Sequence, residues 1–216
     1  MQGSTLRPRP EEDSARRLTS KGKDALVIVD VQNDFCPGGA LPVAQGDGVV
    51  PVLNRYIQRF TAANRPIFAT RDWHPEKTRH FKAYGGLWPP HCIQGTKGAE
   101  FRPDLEIPAG AVIVSAGMAA DEEGYSGFDG RDDRGMGLAE LLRQRGVERI
   151  LVGGLATDYC VKHTVLDGLR HGFKVVLLED AVRGVNLQPG DSARAVAEML
   201  QAGAEGISGV EGLPRS

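Results

Sequence analysis

Continuous apolar runs at residues 25–29, 66–70, 111–115, 149–152 and 174–178 punctuate the chain. A run with no polar alternation must be covered on both faces, which predicts buried strands of a parallel sheet. Between the runs the apolar spacing changes to that of a helix. Val50, Leu53, Ile57 and Phe60 predict a helix over 47–63. Further helices are predicted over 138–145, stopped by Gly146, over 160–171, stopped by Gly172, and over 191–201. Residues 206–208 read as a short edge strand. Strand and helix in alternation predict an α/β fold: one doubly wound parallel sheet of about six strands with helices on both faces. No internal repeat and no second domain is visible in the pattern. Such sheets bind ligands at the carboxyl ends of their strands.

Those ends carry chemistry. Asp30 closes the first run, Asp72 and His74 follow the second, Ala116 follows the third, and Cys160 follows the fourth. The stretch Gly153-Gly154-Leu155-Ala156-Thr157-Asp158-Tyr159-Cys160-Val161 is central. Its glycines are expected to break the strand. Thr157 or Asp158 is placed to cap the following helix. Cys160 then falls in the first helical turn, where the macrodipole and free N–H groups favour a thiolate. The same stretch also fits a buried cysteine packing as a small hydrophobe. Asp30 reads either as a strand-end carboxylate accepting loop N–H bonds or as a base for Cys160. The second role needs a pKa raised by partial burial.

Asp72 and His74, with His80 and His91 downstream, offer one carboxylate and two or three imidazoles within a segment rich in Gly, Pro and aromatics. That donor set suits zinc, manganese or iron(II). Residues 76–108 are long and irregular; Phe81, Tyr84 and Trp88 among the histidines argue for an organised functional loop. Phe35, Trp88 and Tyr125 are candidates to stack on a planar substrate.

Composition narrows the partners. The chain has 216 residues, 41% hydrophobic and 25% charged, with a formal net charge of −2. Nothing there points to nucleic acid or to an anionic membrane surface, and no apolar run is long enough to span a bilayer. The first residues lack the apolar core of a signal peptide, and three cysteines, an odd number, suit a reducing cytoplasm over a disulfide framework. Residues 1–23 are polar and aperiodic and read as a flexible N-terminal tail, leaving 24–216 as the folded domain.

Five strings in order resemble the nicotinamidases, also called pyrazinamidases, of the isochorismatase-like cysteine hydrolases. They are Asp30-Val31-Gln32-Asn33-Asp34-Phe35, Asp72-Trp73-His74-Pro75, Trp88-Pro89-Pro90-His91-Cys92, Tyr125-Ser126-Gly127-Phe128 and Ala156-Thr157-Asp158-Tyr159-Cys160-Val161. The resemblance implies an enzyme of NAD salvage that converts nicotinamide, and pyrazinamide, to nicotinate-type acids and ammonia through a cysteine thioester. It implies Cys160 as nucleophile, Asp30 as base, and the backbone N–H groups of Ala156 and Cys160 as oxyanion hole. The ligands of one divalent metal, zinc ahead of iron or manganese, would be Asp72, His74 and His91. His80 stands where some members place a third histidine and others a serine. Phe35, Trp88, Tyr125 and Leu155 are implied in substrate binding, with a cis Leu155–Ala156 peptide. The implied partner is a small pyridine carboxamide, and a homo-oligomer is left open.

One position departs from the pattern. The family's catalytic lysine ends the third strand, where this chain reads Val114-Ser115-Ala116-Gly117-Met118. With every surrounding motif intact, Ala116 is expected to mark an enzyme disabled by a single introduced Lys→Ala change, or else a naturally impaired member. Lys97 and Lys162 are the nearest candidates to stand in for it, and neither is expected to do so. The competing functions are a non-catalytic binder of pyridine carboxamides and another, metal-free carboxamide hydrolase of the superfamily.

Overall fold

The computed structural model describes residues 24–210. The predicted tail, residues 1–23, and residues 211–216 lie outside the described residues. Six parallel strands form one sheet in the order β3-β2-β1-β4-β5-β6. They are β1 (Asp24–Val29), β2 (Ile67–Asp72), β3 (Val112–Ala116), β4 (Arg149–Leu155), β5 (Lys174–Arg183) and β6 (Glu205–Ile207). The helices are α1 (Val50–Ala62), α2 (Leu138–Gln144), α3 (Lys162–Arg170) and α4 (Asp191–Gln201).

The chain builds outward from β1 to β3, then returns to the other side of β1 with β4. The strand order therefore reverses between β1 and β4, and the crevice at such a reversal is where doubly wound sheets place their ligands. Every residue of β1 is buried, as its unbroken apolar run requires. Its alternate side chains feed two cores. Leu26 and Ile28 pack with Leu53, Ile57 and Phe60 of α1. Val27 and Val29 lie in the cluster that includes Leu141 of α2, Val165 of α3 and Met199 of α4. At about 25 cal/mol per Å² of apolar surface removed from water, these two layers are the main force holding the sheet.

The predicted elements sit where the pattern put them, with three corrections. The glycine pair does not end β4, which runs through Gly153 and Gly154 to Leu155. Gly154 takes φ +131° and its pairing register with β5 shifts there; a Cβ at that position would overlap the Val29 backbone. Glycine thus lets β4 lie close against β1 instead of stopping it. Second, the predicted 160–171 helix opens with a π-helical turn, Thr157–Val161, and α3 proper starts at Lys162. Third, neither Thr157 nor Asp158 caps that helix: Ala156 is the N-cap residue and makes no side-chain bond. The Asp158 carboxylate instead accepts from Val185 N at 2.9 Å and Asn186 N at 2.7 Å, fastening the loop after β5 beside the turn that carries Cys160.

Residues 76–108 are ordered by short 3₁₀ turns and isolated bridges, among them His74 with Ile93 and Phe81 with Trp88. No helix among the described residues is long and apolar enough to cross a membrane.

Candidate active site

Asp30 leaves β1 in the left-handed region, φ 49°. This turn points its carboxylate into the reversal crevice, where Thr70 Oγ1 donates to Asp30 Oδ1 at 2.6 Å. The Cys160 thiol bonds to the same carboxylate from the π-helical turn. Both groups are buried. Burial, and next the Asp72 charge, pushes the Asp30 pKa up to about 8 against the pull of the Thr70 and Cys160 bonds. Burial and the charges of Asp30 and Asp72 drive the Cys160 thiol well above its ordinary value. Both groups therefore favour their protonated forms at neutral pH: burial disfavours either charge, and the Asp72 carboxylate disfavours both.

Asp72, the last residue of β2, opens a second cluster. Its Oδ2 lies 3.4 Å from His74 Nε2 and 3.5 Å from His91 Nε2. His74 Nδ1 bonds Gly117 O at 3.1 Å and His91 Nδ1 bonds Pro89 O at 2.8 Å, so both rings present Nε2 to the cluster. Gly117 permits this approach, since a Cβ there would stand 2.5 Å from His74 Cε1. His80 stacks on His74 with centroids 4.5 Å apart. Donor atoms of His74, His80 and His91 lie within 4.8 Å of one another.

The cluster fits a metal. Asp72 Oδ1, His74 Nε2 and His80 Nδ1 are buried without a hydrogen-bond partner, a costly arrangement for polar atoms with nothing else to bind. The 3.4 and 3.5 Å separations are long for hydrogen bonds. They match ligands about 2.1 Å from a shared tetrahedral centre, which stand about 3.4 Å apart. Charge agrees. Burial pushes the Asp72 carboxyl up, but the His74 and His91 imidazoles beside it hold it well below the usual carboxylate range. Burial pushes His74 down, and Asp72 more than reverses that. Burial, then the His74 charge, lowers His80 to about 4, so its ring is neutral and available as a ligand at pH 7.

Cys160, with Asp30 behind it, and the histidine cluster meet at one narrow cleft. Phe35, Trp88 and Tyr125 line it, as do Asp72, His80, His91, Ala156 and Cys160. Trp88 Nε1 donates to the Tyr125 hydroxyl at 2.9 Å. Leu155 does not line the cleft with its side chain. That side chain is wholly buried in the core on the α1 side, because strand alternation turns it away, and the residue meets the site through its cis peptide bond to Ala156.

Ala116 ends β3 in register with Asp72 and is 3% exposed. Alternation places it on the face of Val114, whose cluster contains Cys160 and Val161. Thr70 and Asp72 share that face with Phe68. Lys162 is turned away, with Nζ 3.4 Å from Glu198 Oε2, and Lys97 is exposed.

Sequence reasoning missed Tyr159, Leu41 and Val185 on the cleft wall. It also missed two residues that hold the loops. Gln32 clamps the Asp72 backbone: its Nε2 donates to Asp72 O and its Oε1 accepts from Asp72 N, both at 2.8 Å. Asp34 Oδ2 accepts from Cys92 N at 2.8 Å, tying the loop after β1 to the residue that follows His91. Both belong to the string that begins at Asp30, and that shared string was the available signal. Gln32→Ala is expected to weaken zinc binding roughly 10–100-fold, the range for groups that orient metal ligands. Competition against a chelator measures this, and unchanged affinity would show that Asp72 needs no clamp.

The Isochorismatase domain family matches residues 24–209. The chain belongs to the isochorismatase family. Within it, this isochorismatase-family chain is 42% identical over 197 residues to the nicotinamidase of Escherichia coli strain K12, covering 83% of this chain and 92% of that protein. The pyrazinamidase of Pyrococcus horikoshii, solved in complex with zinc, superposes with a TM-score of 0.80 at 48% identity, covering 87% of this chain and 99% of that one. PnC1 from L. infantum, solved in complex with nicotinate, superposes with a TM-score of 0.77 at 36% identity, covering 88% and 94%.

Proposed function

We propose that this chain has the site of a nicotinamidase, an amidohydrolase acting on nicotinamide and related pyridine carboxamides such as pyrazinamide. The observation that carries the reading is one small aromatic cleft with a hydrogen-bonded Asp30–Cys160 pair at one wall and a metal-ligand cluster at the other. The nicotinamidase, pyrazinamidase and nicotinate-bound relatives support it.

Asp72, His74 and His91, with His80, would hold one divalent ion. Bound there, that ion, zinc as in the relative from P. horikoshii, supplies a Lewis acid for the pyridine nitrogen that orients the ring and draws electron density from it. Phe35, Trp88 and Tyr125 confine the ring. Where Asp30 is ionised, Cys160 Sγ attacks the carboxamide carbon while its proton passes to that carboxylate; with the Asp30 pKa at about 8 only a minor share of the chain is in that form at neutral pH. The N–H groups of Ala156 and Cys160 face the oxygen as it gains charge. Asp30 returns the proton as the C–N bond breaks and ammonia leaves, with the acyl group on sulfur as a thioester. Water, deprotonated by Asp30, then attacks the thioester carbon; the C–S bond breaks, nicotinate leaves, and Cys160 recovers its proton.

Ala116 leaves this machinery without the cation the family supplies at that position, and turnover in this chain is expected to be severely reduced. The same alanine, beside an acid and a thiol that both keep their protons, favours a second reading: a module that binds pyridine carboxamides without cleaving them.

Cys160→Ala is expected to eliminate acyl adducts and residual ammonia release while nicotinate binds within about threefold. Intact-protein and peptide mass spectrometry after incubation with nicotinamide makes the test. An adduct on Cys36 or Cys92 would sink the nucleophile assignment.

A further inference from the structure

The third residue after Cys160 has no part in the chemistry above, yet it backs one wall of the cleft. His163 lies in the first turn of α3, half-buried, and its ring stacks on Tyr125 with centroids 5.4 Å apart and planes 22° apart. Tyr125 accepts the Trp88 indole hydrogen bond and meets His80 edge-on at 5.3 Å. Trp88 in turn packs edge-on against Tyr159 at 4.9 Å. Tyr125 thus has the cleft on one side and His163 on another. The next residue on α3 holds the same loop, since Thr164 Oγ1 accepts from Gly127 N at 2.9 Å. The two contacts tie the Tyr125 loop to the helix that follows the Cys160 turn.

We propose that His163 is a positioning residue for the aromatic wall: its stack fixes the plane of Tyr125 and, through the Tyr125–Trp88 hydrogen bond, the width of the slot that receives a flat pyridine ring. A stacked aromatic ring does this well because offset stacking restrains tilt as well as distance. Burial, and next the Lys162 charge, holds the imidazole below its ordinary pKa. The ring therefore acts as an uncharged aromatic, and phenylalanine is a fair substitute for it. The inference rests on the pyridine-carboxamide reading for its ligand, but not for its geometry.

The test uses the zinc-loaded full chain, with nicotinamide binding measured by calorimetry and the two tryptophan indole N–H resonances followed by NMR. His163→Ala is expected to weaken nicotinamide binding about threefold to tenfold, in line with the loss of one aromatic pair. It is also expected to shift the Trp88 indole resonance while leaving that of Trp73, which lies under Arg71, in place. His163→Phe is expected to restore both. Unchanged binding and an unchanged Trp88 resonance in His163→Ala would overturn the inference and leave the nicotinamide reading intact. A His163→Phe protein as weak as His163→Ala would also overturn it, because the stack would not be the cause. If the unsubstituted chain fails to bind nicotinamide, the functional reading falls. The Trp88 resonance in the two variants still decides whether His163 sets the wall.

Discussion

Ala116→Lys is expected to raise the rate of nicotinamide hydrolysis by roughly 10²–10⁴, the span that one well-placed proton-transfer or charge-stabilising group supplies. The reason lies in the charge of the site. Asp30 is held near 8 by burial and the Asp72 charge, and the Cys160 thiol well above its ordinary value by burial and the charges of Asp30 and Asp72. Ala116 sits in register with Asp72, on the sheet face that the Cys160 cluster covers. An ammonium carried from there would enter the crevice where both groups lie. Opposite charge at short range in a low-dielectric site lowers the pKa of an acid and of a thiol alike. Asp30 would become ionised at neutral pH and able to accept the thiol proton. The ammonium would also offset charge that develops on the carboxamide oxygen.

Two measurements check this. Ammonia release should rise in the lysine version. Alkylation of Cys160 by iodoacetamide should be confined to alkaline pH in the chain as it stands, because the raised thiol pKa must be passed before thiolate appears. The profile should move to lower pH with lysine. Equal turnover and equal alkylation profiles in the two versions would show that position 116 does not face the pair. Turnover absent in both, with tight nicotinamide binding, would favour the binding module.

Removal of metal is the second large effect. Stripping the protein with a chelator is expected to reduce nicotinamide binding below detection, and readdition of zinc to restore it. The aromatic slot offers shape, but among the cleft-lining groups the unpartnered atoms of Asp72 and His80 lie beside His91, where a ring nitrogen would be held. The apo protein should also melt at lower temperature. An ion that binds only the folded chain stabilises it by about 2.7 kcal/mol when present at 100 times its Kd. Ala116 does not enter this prediction, since no ligand atom comes from it. Elemental analysis of the purified protein identifies the ion. Nicotinamide binding that survives complete metal removal would overturn the assignment of the pyridine nitrogen to the metal.

Much of this was legible in one dimension. Buried parallel strands announce themselves as unbroken apolar runs, because both faces are dry. The run at 25–29 therefore located β1 to within a residue, and helical spacing located α4. Asp30, Asp72 and His74 stood out as polar residues just after such runs, His91 as a further histidine in the loop that follows, and Cys160 as a thiol beyond the glycine pair at the head of a predicted helix.

Strand order was not legible. Asp30 and Thr70 are 40 residues apart in sequence and 2.6 Å apart in the fold, a contact set by β1 lying beside β2. Local propensity did not reveal that Gly154 serves a close approach to β1, that Leu155 turns into the core, or that Asp158 holds the β5 loop instead of capping a helix. Nor did it show that Gln32 grips Asp72 or that His163 backs Tyr125. Apolar periodicity records which side of each element avoids water. It carries no record of which elements become neighbours, and a site built where neighbouring strands send their connections in opposite directions exists only once the sheet has formed.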